Sequence, residues 1–273
     1  MRIAITGANG VLGRAVTELA LAQRHTVIAV DRRAATDPIA LDGVQRHTAD
    51  ATDYHQLESA VAGAEALVHL AAYITPDAEE GHVVHNNNVV SSYNALSVAE
   101  ASGIRRVCMA SSVNAIGGYY SREPRYDYFP VDEHHPSYAE DPYSLSKWLA
   151  EQQAAAFARR YEDMVIASLR LHALRDRAYM ARNNATRPDG GRKNLWGYTP
   201  VESAARACMA VLTADFSGFE AFYIVAANTS SDLPSIDLRN RYYPRVPVVG
   251  DLSGHRSFFD TGKAERLLHW PAS

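Results

Sequence analysis

The chain has 273 residues, 47% hydrophobic and 21% charged, an ordinary globular balance that excludes disorder, collagen and coiled coil. Its 27 Lys and Arg face 31 Asp and Glu, giving a net charge of −4 with no long run of one sign, so neither nucleic acid nor an anionic membrane is an expected partner. Cys108 and Cys208 lie far apart without C-x-x-C spacing, which argues against a disulfide framework or a thiolate zinc site and fits a reducing, cytoplasmic setting.

Ile3-Ala4-Ile5 is a short apolar run ending in Thr6-Gly7. Residues 11–24 follow with Val11, Leu12, Ala15, Val16, Leu19 and Ala20 at helical spacing. Thr26 to Val30 reads as a second buried strand, closed by Asp31. Further strands are expected at 44–48, 66–70, 106–110 and 165–171, with helices at 54–62, 82–102 and 143–161 between them. Unbroken Val/Ile/Leu/Ala runs of this kind belong to strands covered on both faces of a parallel sheet. After 171 the rhythm breaks. Residues 175–192 are rich in Arg and Asn, end in Pro188-Asp189-Gly190-Gly191, and read as a loop. A helix at 201–214 and a strand at 222–226 resume the pattern, and the tail holds one short helix at 263–268. The chain enters structure too early for a signal peptide, and no stretch reaches the ~18–20 apolar residues of a membrane span. The expected organisation is a dinucleotide-binding sheet domain at 1–171 and a small, discontinuous substrate-binding cap at 172–273, with 201–226 returning to the sheet domain.

The turn between the first strand and the first helix reads Thr6-Gly7-Ala8-Asn9-Gly10-Val11-Leu12-Gly13. Glycines at this spacing allow a tight turn, a close approach of a pyrophosphate to the backbone, and close helix–strand packing. The helix start adds unpaired N–H groups and a positive dipole end. Asp31, at the end of the second strand, suits the adenosine ribose hydroxyls and repels a 2′-phosphate, which favours NAD. Arg32 and Arg33 beside it leave NADP open. Asp50, after the third strand, is a candidate for the adenine amino group.

Asp141-Pro142-Tyr143-Ser144-Leu145-Ser146-Lys147 opens a helix, with Asp141 suited to the N-cap and Pro142 to the first turn. Tyr143 and Lys147, four apart, share one face. An ammonium near a phenol favours the phenolate and so brings proton exchange toward neutral pH. Lys147 is one of only three lysines in the chain. Ser111 and Ser112 end the fifth strand, where ligands of open α/β sheets bind, so Ser112 can meet a substrate oxygen beside Tyr143. Tyr119, Tyr120, Tyr126, Tyr128 and Phe129 form an aromatic segment that either stacks on a sugar face or packs the cap. His82 and His85 have no third ligand in view, and no metal is expected.

These pieces, together with His69-Leu70-Ala71-Ala72, Asn88, Asn94, Pro130-Val131-Asp132-Glu133 and Leu169-Arg170-Leu171, resemble the extended short-chain dehydrogenase/reductase family, also called the NAD-dependent epimerase/dehydratase family. The resemblance implies a Rossmann-type doubly wound parallel sheet with a small C-terminal cap. It implies Tyr143 as acid/base, Lys147 on the nicotinamide ribose, and Ser112 orienting a substrate hydroxyl. Cofactor contacts are expected from Gly7, Asn9, Gly10, Val11, Leu12, Gly13, Asp31, Arg32, Asp50, Ala51, Leu70, Ala71, Ala72, Tyr143 and Lys147. Substrate contacts are expected from Thr75, Ser111, Ser112, Asn114, His172 and Arg192. Members often form homodimers through the helices corresponding to 82–102 and 143–161.

In size the chain is closest to the family's uronate dehydrogenases. Val113 stands where those enzymes have an asparagine, with Asn114 next to it, and Arg192 or Lys193 falls near their substrate-carboxylate arginine. The Asp-Glu pair of the dehydratases is absent after Ser112. The expected function is therefore NAD(P)-dependent hydride transfer between nicotinamide and a sugar- or polyol-type hydroxyl. The alternatives are a nucleotide-sugar 4-epimerase with tightly bound NAD and a non-catalytic cofactor sensor.

Overall fold

The computed structural model describes residues 1–34, 42–187, 189 and 191–271. Strand β1 (Arg2–Thr6) runs through the glycine turn into α1 (Val11–Ala22), followed by β2 (Thr26–Asp31), β3 (Val44–Thr48) and α2 (Tyr54–Ala60). Next come β4 (Ala66–His69), α3 (Gly81–Ala101), β5 (Arg106–Ser112), α4 (Pro142–Arg160) and β6 (Val165–Leu171). Then follow α5 (Arg177–Ala185), α6 (Val201–Val211), β7 (Gly218–Ile224), α7 (Ser235–Tyr242) and α8 (Gly262–Leu268). All seven strands are parallel and lie in the order β3-β2-β1-β4-β5-β6-β7. The chain thus leaves β1 in both directions, and a crevice opens at the carboxyl edge where the order reverses. This is the doubly wound Rossmann-type fold.

Alternate residues of each inner strand feed two cores. Ile3 and Ile5 of β1 pack with Leu12, Val16 and Ala20 of α1 and with Ala204 and Cys208 of α6. Ala4 and Ile28 face the other way, toward Leu57 of α2, Leu96 of α3 and Ala154 of α4. Burial of each Leu, Ile or Val side chain contributes roughly 1.5–3 kcal/mol, which is why both faces of β1, β2 and β4 read as apolar. A third core of Tyr126, Phe129, Trp196, Tyr243 and Phe258 lies under the long segments that follow β5 and β6.

The expected strand at 222–226 lies earlier, as β7 at Gly218–Ile224, the expected helix at 201–214 ends at Val211, and two further elements differ from the sequence reading. The expected loop at 175–192 contains helix α5, because Asp176 caps it by accepting from Tyr179 N at 2.6 Å while Met180 and Asn184 bury one turn apart. Pro188 and Gly190 of that expected loop lie outside the described residues. Helix α7 arises in the tail, with Asp237 in its first turn, Arg239 and Arg241 in its last, and Leu238 as its buried contact. One apolar anchor is too little to register as periodicity. Among the described residues, no helix is long and apolar enough to cross a membrane.

Candidate active site

A cleft of about 810 Å³ follows the carboxyl ends of the strands. One half is lined by Gly7, Gly10, Val11, Leu12 and Gly13, with Asp31, Arg32, Asp50, Ala51, Leu70, Ala71 and Ala72 around them. Gly7 has φ +66°, and a Cβ there would stand 2.9 Å from Ala71 N. A Cβ on Gly13 would come within 2.3 Å of Gly7 O, so the helix can approach the turn only without a side chain. Helix α1 starts on Gly10 with no side-chain cap and no acidic residue in its first turn. The N–H groups of Val11, Leu12 and Gly13 therefore have no acceptor within the helix, and all three residues line the cleft, an arrangement chemically suited to an anion. Beneath them Thr6 Oγ1 accepts from Leu70 N at 3.1 Å and Ala71 N at 3.2 Å, tying the end of β1 to β4.

The two carboxylate oxygens of Asp31 accept from Asn9 N at 3.0 Å and Arg33 N at 3.1 Å, and each retains lone-pair capacity for a ribose hydroxyl. Asp50 closes a turn beside the cleft, accepting from both Thr52 N and Thr52 Oγ1 at 2.8 Å. Asn9 does not line the main cleft. It lies in an adjoining recess with Arg14 and Arg33, where its Nδ2 donates to Arg33 O at 2.6 Å and shapes the turn. Arg32 donates to Tyr73 Oη at 3.0 Å and covers its ring at 4.7 Å, a contact that joins the segments after β2 and β4 across the end of β1.

At the middle of the cleft, two consecutive residues of β5 are tied to two successive turns of α4. Lys147 Nζ donates to Ala110 O at 2.8 Å and Ser111 Oγ donates to Glu151 Oε1 at 2.6 Å, while the next residue, Ser112, lines the cleft beside Tyr143. Glu151 in turn accepts from Arg170 Nε at 3.0 Å and Nη2 at 2.8 Å, and Arg170 Nη1 donates to Tyr223 Oη at 3.2 Å. The geometry brings Ser112, Tyr143 and Lys147 to one wall, Lys147 Nζ standing 5.9 Å from the Tyr143 ring centroid. Ser111, expected to contact substrate, lines the same wall but commits its hydroxyl to Glu151.

The electrostatics correct a second expectation. Burial pushes the Tyr143 phenol up to about 12, opposed by the nearby Ser112 hydroxyl and reinforced by the charge of Asp141. Lys147 therefore does not bring the phenol down by itself, since its ammonium is aimed at the Ala110 carbonyl. Burial also pulls Lys147 down to about 8, with the Glu151 charge holding it up. At pH 7 the ammonium form still outnumbers the amine by about ten to one.

The other half of the cleft is lined mainly by the segments after β5 and β6, with Thr75 from the segment after β4. Thr75, Asn114 and His172 line it. Asn114 donates through Nδ2 to Ser112 Oγ at 3.4 Å and accepts from Tyr119 N at 3.0 Å, so it helps aim Ser112. His172 is a wall rather than a proton donor. Its Nε2 meets Asn194 O at 2.9 Å, its Nδ1 accepts from Ala173 N at 2.6 Å, and burial lowers it to about 4. Arg192 lies outside the cleft lining and is paired with Glu123 through contacts of 2.5 and 3.0 Å. The turn Arg192–Asn194 starts at Gly191 with φ +86°, which directs these basic side chains toward residues 121–123. Lys193 accordingly donates to Ser121 O at 2.8 Å and Arg122 O at 3.0 Å. Of the aromatic segment, Tyr119, Tyr120 and Tyr126 line the cleft, Phe129 is core, and Tyr128 donates to Asp132 at 2.6 Å.

Arg175, Tyr179, Met180, Asn183 and Arg187, on and beside α5, also line this half. Reading 175–192 as a loop missed them. The available signal was Asp176 as an N-cap ahead of Met180 and Asn184 at i, i+4. Among the described residues, no group of three or more His, Cys, Asp or Glu is gathered as a metal site.

The model of the NAD dependent epimerase/dehydratase family matches residues 3–175. The chain belongs to this family. It is 28% identical over 174 residues to a dTDP-6-deoxy-L-talose 4-dehydrogenase (NAD(+)) of Aggregatibacter actinomycetemcomitans, covering 63% of this chain and 61% of that protein. It is 28% identical over 160 residues to a uronate dehydrogenase of Pseudomonas putida, covering 59% and 56%. A sterol demethylase protein B of Methylococcus capsulatus is 34% identical over 119 residues, covering 43% and 36%. The matches thus span between about a third and three fifths of these relatives' lengths. Two solved structures share the fold over 100% of this chain. One is a UDP-glucose 4-epimerase of Thermotoga maritima with UDP-glucose (TM-score 0.74, 20% identity, 94% of that chain). The other is a short-chain dehydrogenase/reductase superfamily protein of Agrobacterium tumefaciens with bound NAD (TM-score 0.75, 21% identity, 93% of that chain). The family's dinucleotide is NAD, and the glycine turn that a Cβ would fill, the uncapped start of α1 and Asp31 fit it.

Proposed function

We propose that the protein is an NAD-dependent oxidoreductase acting on a hydroxyl of a sugar or polyol-type substrate. The observation that carries this reading is that Ser112, Tyr143 and Lys147 meet on one wall of a cleft continuous with the dinucleotide cradle. Bound NAD supplies the hydride acceptor or donor. Ser112, aimed by Asn114, holds the reacting oxygen of the substrate. Tyr143 in its phenolate form takes the hydroxyl proton as the carbonyl forms and becomes the phenol, which donates that proton back in the reverse direction. Lys147 holds a positive charge 5.9 Å from the Tyr143 ring, and the Glu151 charge favours its protonated form. The buried Glu151–Arg170 pair holds α4 against β5 and β6, so the phenol is positioned before substrate arrives.

The two buried free cysteines suit the reducing environment of a cytoplasm. Exposed Val90 and Tyr93 on α3 suit a homodimer packed through α3 and α4. The test is NADH formation by purified protein supplied with NAD and a panel of aldoses, sugar acids and polyols. Turnover of at least one supports the reading, and none with NAD demonstrably bound opposes it. One observation favours a nucleotide-sugar 4-epimerase instead: the Arg32–Tyr73 contact across the end of β1 suits a cofactor that is kept rather than exchanged. NAD that co-purifies with the protein, and UDP-sugar interconversion without net NADH, would select that reading.

A further inference from the structure

Helix α5 gives Tyr179, Met180 and Asn183 to the wall of the cleft, yet little apolar surface secures it. Its start is tied at the surface, where Arg177 Nη2 donates to Ser231 O at 3.2 Å and to Asp232 Oδ1 at 3.0 Å, and Met180 packs with Tyr198 and Ala226. Its last turn is held by a different device. Asn184 Nδ2 donates to Ser230 Oγ at 3.1 Å, and Ser230 Oγ donates to Trp196 O at 2.9 Å. Trp196 N donates to Asn194 Oδ1 at 2.9 Å, and Asn194 Nδ2 donates back to Asn184 Oδ1 at 3.0 Å. The four bonds close a ring whose members are all buried. Removing one member of such a ring strands buried polar groups on both sides of the gap.

The ring sits on strained backbone. Leu195 (φ +52°) and Trp196 (φ +53°) are the one pair of successive non-glycine residues in the left-handed region among the described residues. Bulky side chains adopt that conformation only where the surroundings enforce it. The turn also presses on α5, since a Cβ on Gly191 would stand 2.7 Å from both Asn184 Cγ and Trp196 Cδ1. It presents the Asn194 side chain to α5 and the Asn194 carbonyl to His172, whose Nε2 donates to it at 2.9 Å. Burial keeps His172 neutral and its Nδ1 accepts from Ala173 N, so the imidazole hydrogen stays on Nε2 for this bond. His172 directly follows Leu171, the residue in register with Ser112 across the sheet. Asn194 therefore joins the helix that walls the cleft to the strand end beside the reacting residues.

We propose that Asn194 is a positioning residue: by closing the ring with Asn184, Ser230 and Trp196 it holds α5 at a fixed distance from the end of β6, and this spacing decides which substrates the cleft accepts. The proposal rests on the oxidoreductase reading and assigns its substrate selection to a part of the molecule that carries none of the chemistry. Opening the ring frees the wall to move, so the loss falls on substrate fit. The dinucleotide half and the Tyr143 wall are tied by other bonds and keep their geometry.

The test compares wild type with Asn194→Ala, Asn184→Ala and the double variant, following NADH formation at saturating NAD over a panel of aldoses, sugar acids and polyols. Each single variant is expected to raise KM for the best compound about 10-fold and to lower kcat by less than about 3-fold, with NAD affinity by calorimetry unchanged. The preference for that compound over the next best shrinks, and the double variant is no worse than the poorer single, because both open one ring. Hydrogen exchange of amides 177–185 rises about 10-fold while that of β1 and α1 stays as in wild type. Asn184→Ala opens the ring from the helix side and decides the matter if Asn194→Ala does not fold. Arg177→Ala cuts only the surface tie at the other end of α5 and leaves KM within about 2-fold. Unchanged exchange in 177–185, additive losses, an equal rise of KM in Arg177→Ala, or a fall in kcat and NAD affinity without a change in KM overturns the proposal and leaves the oxidoreductase reading intact. If no compound yields NADH, melting of the NAD-loaded protein is followed over the same panel. A stabilisation seen in wild type and lost in Asn194→Ala then keeps the proposal and overturns the oxidoreductase reading, and stabilisation by no compound overturns both.

Discussion

The two halves of the cleft are made of different material. The dinucleotide half takes its shape from main chain: the glycine turn, the uncapped first turn of α1 and the ends of β1 and β4, with few side chains beyond Thr6 and Asp31. The substrate half is made of side chains drawn mainly from the segments after β5 and β6, many already bonded to each other, as His172 is to Asn194 and Asn114 to Ser112. Backbone geometry recognises a part common to many ligands, whereas a wall of interlocked side chains can be re-specified residue by residue. The Ser112–Tyr143–Lys147 wall stands between them and is braced from behind by Glu151 and Arg170.

The sharpest way to break that arrangement is to remove the brace. Glu151→Ala leaves the Arg170 charge buried and unpaired, and is expected to cost about 3–5 kcal/mol in urea unfolding. Gly13→Ala should act on the dinucleotide half alone. Its Cβ would meet Gly7 O, forcing the turn apart at about 1–3 kcal/mol and weakening NAD binding measured by titration calorimetry more than substrate KM. The wall itself is probed by pH. Lys147 stands at about 8, so its ammonium is lost as pH rises through 8, and kcat/KM should show a falling limb there. Glu151→Gln removes the charge that holds Lys147 up and should move that limb to lower pH. The smallest effect belongs to Arg192→Ala, which removes a partly exposed pair with Glu123. It should change stability by less than about 1 kcal/mol and leave substrate KM unaltered.

The contrast between the halves also explains what could be read from sequence. The glycine turn, Asp31 and Tyr143–Lys147 are each short and local, so their spacing alone positions them, as do the apolar runs of β1, β2, β4, β5 and β6. Helix α5 escaped because its buried contacts are only Met180 and Asn184, with Arg and Asn elsewhere along it. The orientation of Arg192 escaped because it depends on Glu123, 69 residues away. Ser111 and Ser112 are adjacent and chemically alike, and only the packing of Glu151 from α4 separates the brace from the residue that faces the phenol. The phenol's elevation likewise depends on burial from several elements, which a helical spacing of four residues does not report.

The account turns on the Tyr143 oxygen as the group that exchanges the substrate's proton. Single-turnover NADH appearance, followed across pH for wild type and Tyr143→Phe with any oxidised substrate, addresses it directly. The expected result is a wild-type rate that climbs with pH below the Lys147 limb and a Tyr143→Phe rate about 10²- to 10⁴-fold lower that does not climb. A Tyr143→Phe protein that keeps both the rate and the slope would contradict it.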